Sequence, residues 1–223
     1  SVYIFSAVLA AQIHGFTHIA FSNERSANSG NVEYLGEEIN HQYSKSFDFE
    51  KSCHDYIQKY VAPNVYVFSL LRHLYEIQIA QKFIDYPKYF QHFLSCNKGL
   101  KQATNSNDSH AAWCGACAKC AFVYAILSAF LDPQKVQAIF GKNLFEDAAL
   151  LPLFEELLGL RNIKPFDCVG IPEEVWLALY LAQKQHEKAA QPLPLLLKKI
   201  NPEKGTQYMS LLEAKTHEHL IPK

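Results

Sequence analysis

The sequence predicts an α/β domain with a parallel sheet, followed by a helical region that contains a group of cysteines. Three observations support this fold class. Two short apolar segments, residues 16–21 and 65–70, have the composition of strands, and a helical segment separates them. Nearly all of the chain from Cys114 onward has helical character. Helices that alternate with buried strands are typical of a parallel sheet with helices on its faces.

The first region alternates between helical and strand patterns. Ser1–His14 contains good helix formers and is followed by Gly15, so it predicts a helix with a glycine stop. Phe16–Phe21 alternates between apolar and polar residues, which predicts a strand. The polar segment Ser22–Asn40 predicts a long loop. The other expected elements are a helix over Ser46–Tyr60 that Pro63 stops, a strand buried on both faces over Val65–Leu70, and a helix over Tyr75–Phe83.

The second region is predicted to be helical. A polar loop is expected at Asn105–His110. The expected helices are Lys119–Leu131, Pro133–Phe140, Asp147–Leu158 and Pro172–Gln185. The segment from Lys188 is charged and contains prolines, so we expect it to lie loosely on the surface. This organisation predicts three regions, residues 1–95, 96–187 and 188–223.

Composition limits the classes of function. The chain has 49% hydrophobic and 19% charged residues and a net charge of -1, so it lacks the basic surface of a nucleic-acid binder. Its longest apolar run, Cys120–Leu131, is about 12 residues where a membrane span needs about 20, so we expect a buried core helix and no membrane partner. The chain opens inside a helix without Met or a signal sequence, which predicts a cytoplasmic fragment.

Four of the six cysteines are spaced like zinc ligands. Cys114, Cys117 and Cys120 form a Cys-x-x-Cys-x-x-Cys motif, and Cys96 lies upstream. Zinc prefers four thiolate or imidazole ligands in a tetrahedron, and four protein ligands leave no open position, so this pattern predicts a structural zinc site. An iron–sulfur cluster and four free thiols are the alternatives, although the Cys-Pro that ends the bacterial ferredoxin motif is absent.

Two polar stretches are candidates for ligand binding. The first, SNERSAN at residues 22–28, follows a predicted strand and supplies Asn23, Glu24 and Ser26. In open α/β sheets, ligands bind beyond the carboxyl ends of strands. The second, NHQYSKS at residues 40–46, precedes a helix, and helix N-termini with a nearby lysine suit phosphate or carboxylate. The alternative is that these serines and asparagines only form turns and helix caps.

A third stretch, KPFDCVG at residues 164–170, precedes a helix that begins with Pro172. The start of that helix could lower the pKa of the Cys168 thiol and activate it. The alternative is a buried, small, apolar cysteine, which is the more common outcome. Cys53, on the helix over Ser46–Tyr60, is interpreted as a core residue.

The stretches SNERSAN, NHQYSKSFDFE, WCGACAKCAFVY and KPFDCVGIPEE together resemble the UDP-N-acetylmuramoyl-L-alanyl-L-glutamate epimerase family, a member of the N-type ATP pyrophosphatase superfamily. The resemblance extends over most of Phe16–Ala178. The cysteine spacing also resembles the zinc site of cyano-deazaguanine synthase in that superfamily. The resemblance implies a partial Rossmann-like sheet, similar to adenine nucleotide alpha hydrolases, with residues 1–95 as the C-terminal part of a nucleotide-binding domain.

The resemblance also implies an activity in peptidoglycan precursor synthesis. Relatives use ATP and Mg²⁺, and they would activate the terminal L-Glu carboxylate of UDP-MurNAc-L-Ala-L-Glu as an acyl-adenylate, so that its α-proton can be removed and D-Glu formed. The implied catalytic residues are Cys168, Glu24 and Lys45. The implied cofactor-binding and substrate-binding residues are Asn23, Ser26, His41, Gln42, Ser44, Arg72 and Lys164.

One feature departs from the superfamily pattern, because the phosphate loop Ser-Gly-Gly-x-Asp-Ser is absent. In relatives that loop lies N-terminal to everything in this chain, so we expect the N-terminal part of the same protein to be its partner. The alternatives are a non-catalytic, zinc-stabilised binding module of the same fold, another ligase of the ATP pyrophosphatase type, and a thiol redox protein.

Overall fold

The structure is a computed structural model that describes residues 2–105, 112–161 and 163–222. Within these residues the architecture is mixed α/β, with a small parallel sheet and many helices, as the sequence predicts. The chain forms two compact units. One contains the residues up to 75 and those from 214 onward, and the other contains residues 76–213. The boundaries predicted from the sequence, at residues 95 and 187, stay predictions.

The first unit is built around two parallel strands. Its helices and strands are α1 (Val2–His14), β1 (His18–Phe21), β2 (Val32–Tyr34), β3 (Glu37–Ile39), α2 (Phe47–Tyr56), which continues as a π turn (Ile57–Val61), and β4 (Tyr66–Ser69). β1 pairs with β4 in parallel, and Phe21 lies opposite Ser69 at their carboxyl ends. The crossover through α2 supplies the long connection that a parallel pair requires.

Helix α1 packs one face against this sheet. Ile4, Val8 and Ala11 are buried in a core with Ile57 and with Val67 of β4. The helix stops at Gly15, whose φ of 72° lies in the left-handed region that glycine adopts without strain. The predicted helix and its glycine stop are therefore confirmed.

The predicted loop over Ser22–Asn40 is wrong in its second half, where β2 and β3 form an antiparallel hairpin. The turn consists of Leu35 and Gly36, with φ of 54° and 81°. Positive φ at both central positions is the geometry of a tight two-residue hairpin turn, in which Asn-Gly is the usual sequence. Leucine at the first position hides the hairpin from sequence patterns.

The described residues of the second unit form helices and the loops that connect them, without a strand. Its helices are α3 (Glu76–Phe83), α4 (Asn97–Asn105), α5 (Ala118–Ser128), α6 (Pro133–Phe140), α7 (Leu151–Leu157), α8 (Pro172–Lys188) and α9 (Pro202–Thr206). α5 is buried along nearly its whole length and packs against α7 and α8, so the prediction of a buried core helix here is confirmed. Among the described residues, no helix has both the length and the apolar character needed to cross a membrane.

The segment after Lys188 differs from the loose surface tail that the sequence predicts. Leu196, Leu197 and Ile200 are buried. The Gln183 side-chain amide of α8 donates to the carbonyls of Leu197 (2.8 Å) and Ile200 (3.1 Å). These apolar side chains are spaced within a charged sequence, so composition alone conceals them. The polar loop predicted at Asn105–His110 lies outside the described residues, apart from Asn105 at the end of α4.

Candidate functional site

The cysteines Cys96, Cys114, Cys117 and Cys120 form one cluster, with all four sulfur atoms within 4.8 Å of one another. The Sγ–Sγ distances are 3.6 Å for Cys96–Cys117, 3.6 Å for Cys114–Cys120 and 3.5 Å for Cys117–Cys120. Four sulfurs around a tetrahedral zinc ion at about 2.3 Å would be about 3.8 Å apart. The cluster can therefore hold a metal ion of this size with only small adjustments.

Local structure places each sulfur. Cys96 precedes α4, and the Gly99 backbone N–H donates to its Sγ at 3.3 Å. Gly115, with φ of 63°, turns the chain between the first two cysteines of the motif. Cys117 is the N-cap of α5 and Cys120 lies in its first turn. The prediction that the third cysteine of the motif occupies the first turn of the next helix is confirmed.

The thiols of the cluster ionise unequally. Burial opposes ionisation of Cys96, but hydrogen bonds from the Gly99 and Cys114 backbones and from neighbouring thiols outweigh it and lower its pKa to about 7. Burial raises the pKa of Cys117 to about 11 and raises that of Cys120 above its usual range. The protein environment thus favours the thiolate of Cys96 over those of Cys117 and Cys120. A metal ion would supply the positive charge that allows all four sulfurs to lose their protons.

In the first unit, polar side chains gather at the carboxyl ends of β1 and β4. The Asn23 amide donates to Ser69 Oγ at 3.0 Å and thereby bridges the two strand ends. Arg72, three residues beyond β4, is fully buried. Its guanidinium donates to Glu50 and to acceptors in both polar stretches, including the carbonyls of Glu24 (2.8 Å) and Lys45 (2.6 Å). The structure therefore brings SNERSAN and NHQYSKS together.

The two stretches meet at an open pocket of about 320 Å³. Its lining residues are Asn28, Glu38, Asn40, Tyr43, Ser46, Phe47, Asp48 and Glu218. The Tyr43 hydroxyl donates to Asp48 at 2.6 Å, and this hydrogen bond to a carboxylate raises the pKa of Tyr43. None of these lining residues is a lysine or arginine. Carboxylate, amide and hydroxyl groups suit a hydrated cation or sugar hydroxyls better than a bare phosphate.

The predicted ligand-binding residues of the two stretches are not among the lining residues of this pocket, and they differ in burial. Ser26 and Gln42 are buried, while His41 and Ser44 are exposed. His41 contacts the Asn31 amide oxygen through its ring. Glu24 and Lys45 are half-buried.

Arg72 is also predicted to bind a ligand, and that role stays a prediction; the structure shows its guanidinium buried, with its donors serving acceptors within the protein. Glu50 was missed by sequence reasoning. Its position four residues after Ser46, in the first turn of α2, gave it the appearance of an ordinary acidic capping residue.

The stretch KPFDCVG lies beside the cysteine cluster in the second unit. Pro165 and Asp167 line a pocket of about 410 Å³ together with Cys117 and Lys98. Cys168 and Lys164 are half-buried. Cys168 precedes α8, as the sequence predicts, and the Glu174 carboxylate of that helix accepts a hydrogen bond from the Ile171 backbone at 3.0 Å.

Comparison with known families agrees with these features. Residues 1–70 match the MurL N-terminal domain, and residues 92–212 match the MurL C-terminal domain. The chain belongs to the MurL family. The resemblance identified from the four sequence stretches is therefore confirmed, and the second match contains all four cysteines of the cluster.

Curated members of the MurL family are similar to the chain along most of its length. A UDP-N-acetyl-alpha-D-muramoyl-L-alanyl-L-glutamate epimerase of Xanthomonas oryzae pv. oryzae is 36% identical over 218 residues, which is 96% of this chain and 48% of the relative. Proteins of the same name from Micromonospora sp. (36% identity, 84% of this chain and 41% of the relative) and Salinispora tropica (37%, 80% and 38%) also match. The chain thus spans about half the length of these relatives or less. No solved structure gives a significant match.

Proposed function

We propose that the chain is part of a cytoplasmic, ATP-dependent epimerase that converts UDP-MurNAc-L-Ala-L-Glu into UDP-MurNAc-L-Ala-D-Glu for peptidoglycan synthesis. The observation that carries this proposal is the similarity along 96% of the chain to a relative named as that epimerase. The meeting of two polar stretches at the carboxyl ends of parallel strands supports it, because this is where α/β sheets bind ligands. We also propose that the parallel sheet of the first unit is part of a Rossmann-like sheet.

We propose that ATP and Mg²⁺ bind to the complete protein. The sequence has no Ser-Gly-Gly-x-Asp-Ser loop, and the pocket between the polar stretches has acidic residues and no cation among its lining. This pocket therefore does not fit a triphosphate by itself. Glu24 is proposed to orient Mg²⁺ or substrate, and Lys45 to pair with a phosphate or carboxylate. Asn23, Ser26, His41, Gln42 and Ser44 are proposed to contribute polar contacts around them, and Lys164 to contribute positive charge in the second unit.

The four-cysteine cluster is proposed to hold a structural Zn²⁺ ion. Four sulfur ligands, sulfur–sulfur distances near those of a zinc tetrahedron and partial burial all favour zinc. A closed set of four protein ligands stabilises the fold and leaves no position for substrate. The ion would therefore fix the loop before α5 and the start of α4.

Cys168 is proposed to exchange the α-proton of the activated glutamate. Its thiolate would remove the proton on one face, and a second group would return a proton on the other. The test uses the full-length protein in deuterated water. A catalytic thiol predicts near-complete loss of α-proton exchange in Cys168→Ala while adenylate formation persists. Exchange at the wild-type rate would instead make Cys168 a packing residue.

The part of the family protein outside this chain is proposed as its partner. Helix α1 carries a second apolar stripe opposite its buried face, in which Leu9 is 63% and Ile13 is 70% exposed. A helix that is apolar on all sides is usually covered on all sides. Leu9→Lys with Ile13→Lys should weaken association with that part when the two are expressed separately. Unchanged association would show that this apolar stripe does not bind that part of the protein.

The overall proposal is tested by ATP–pyrophosphate exchange in the full-length protein with the muramoyl dipeptide as substrate. We expect ATP–pyrophosphate exchange that depends on the dipeptide, followed by conversion of its L-Glu to D-Glu. A folded, zinc-loaded, full-length protein without exchange would favour the non-catalytic binding module instead.

A further inference from the structure

A buried ion pair lies beneath the two polar stretches. Arg72 is 0% and Glu50 is 5% exposed. The Arg72 Nη2–Glu50 Oε2 distance is 2.8 Å, and Arg72 Nε lies 3.3 Å from the same oxygen. Removing two charges from water is costly, and a buried pair persists only where its geometry is good and its other polar groups are also matched.

All five N–H donors of Arg72 are matched. Two serve Glu50, and the other three reach the polar stretches at the Glu24 carbonyl (2.8 Å), the Asn28 amide oxygen (3.3 Å) and the Lys45 carbonyl (2.6 Å). The second oxygen of Glu50 accepts from the Ser69 backbone at 2.9 Å. The pair therefore joins the end of β4 and the first turn of α2 to both stretches at once.

The contacts of Arg72 extend to the walls of the pocket. Asn28 lines the pocket, and its amide oxygen also accepts from the Phe47 backbone at 2.8 Å. The Lys45 carbonyl lies in the chain between Tyr43 and Ser46, which both line the pocket. A change at the guanidinium would thus release both walls together.

We propose that Glu50 and Arg72 are positioning residues, which hold the two polar stretches in the arrangement that binds ligand without touching the ligand themselves. Their effect on activity rests on the proposed function, but their effect on the stretches does not. A lysine at position 72 would retain the charge, but a single ammonium cannot reproduce the planar fork that reaches Glu50 and three other acceptors.

The first test measures amide hydrogen exchange in the double variant Glu50→Leu with Arg72→Met. Apolar replacement of both partners avoids an unpaired buried charge and often preserves stability. We expect exchange to accelerate at least tenfold at residues 22–29 and 40–47, with α1 and β1 unchanged. The matched control is Lys51→Ala with Asp55→Ala, an exposed ion pair on the same helix, which should change neither stretch. Wild-type protection of both stretches in the double variant would overturn the proposal.

The second test separates positioning from folding in the full-length protein. Arg72→Lys should raise the KM for the muramoyl dipeptide at least tenfold, because misplaced stretches bind ligand less well. A purely structural role would instead lower kcat through a smaller folded fraction at unchanged KM, and that result would overturn the proposal. If the wild-type protein has no epimerase activity, the proposed function fails, and the exchange experiment still decides the role of the pair.

Discussion

The cysteine cluster takes three of its four members from one short motif, whereas the partners of Arg72 lie in three segments that are 22 to 48 residues away in the chain. Three of the cysteines are three residues apart, and the fourth lies 21 residues from its sulfur neighbour Cys117. Arg72 reaches Glu24, Asn28 and Lys45 across 48, 44 and 27 residues. The comparison teaches that a site whose residues have a characteristic short spacing can be identified from the sequence. A network whose residues come from distant segments can be identified only from the folded structure.

The strongest test of this comparison removes one cysteine. Cys117→Ser should abolish binding of about one zinc per molecule, because the remaining three ligands leave the tetrahedron open. Since binding energy at a structural site is folding energy, we expect the melting temperature to fall by about 10 °C or more. Metal analysis and thermal unfolding measure the two effects.

The matched control for this variant is Cys168→Ala, which should retain the zinc ion. A folded, reduced wild-type sample that contains no zinc would contradict the proposal that the cysteine cluster is a zinc site.

A second prediction concerns how completely the second unit is packed. Leu197 is 0% exposed, so Leu197→Ala should destabilise the protein by about 2–5 kcal/mol through loss of apolar contacts and a residual cavity. Leu160, which is 54% exposed, offers the control, since Leu160→Ala should change stability by less than about 0.5 kcal/mol. Chemical denaturation measures both, and equal effects would contradict the packed position of the segment after Lys188.

A third prediction addresses the ligand-binding role of the polar stretches. In the full-length protein, Lys45→Ala should lower activity at least tenfold, about 1.4 kcal/mol of transition-state stabilisation. The fold should persist, because Arg72 binds the backbone carbonyl of residue 45 and not its side chain. Lys51→Ala, at an exposed ion pair of α2, is the control. Unchanged kinetics in Lys45→Ala would indicate that the residues of NHQYSKS form only turns and helix caps.

The smallest expected effect is a pH dependence of stability in the second unit. Burial lowers the pKa of His186, and its hydrogen bond to the Pro192 carbonyl and the nearby charges of Asp132 and Glu146 offset this only in part. Below about pH 6.5 the unfolded chain then binds more protons than the folded one, so the free energy of unfolding falls as pH falls through the folded-state pKa.

Urea unfolding of the wild type and His186→Gln between pH 7.5 and pH 5.5 measures this effect. The variant should lose less stability on acidification than the wild type does. Parallel losses in the two proteins would assign the pH dependence to other groups.

Much of the fold follows from the sequence. The helix before Gly15, the strand ends near Phe21 and Ser69, and the Pro133–Phe140 helix all agree with the predictions, because each has a local signal of period, cap or stop residue. The β2–β3 hairpin was missed because its Leu35–Gly36 turn lacks the usual Asn-Gly signal. The burial of Leu197 was missed because hydrophobic residues within a charged segment do not reveal what they pack against.

The sequence by itself determined the cysteine cluster, the family, and the positions of SNERSAN after a strand and of NHQYSKS before a helix. Each of these depends on spacing or on short motifs, which a single chain displays without folding. Only the tertiary structure decided that Arg72 is a buried partner of Glu50. A guanidinium has the same chemistry whether its partners are protein groups or a ligand, and the difference lies in which distant carbonyls and carboxylates the fold brings within about 3 Å of it.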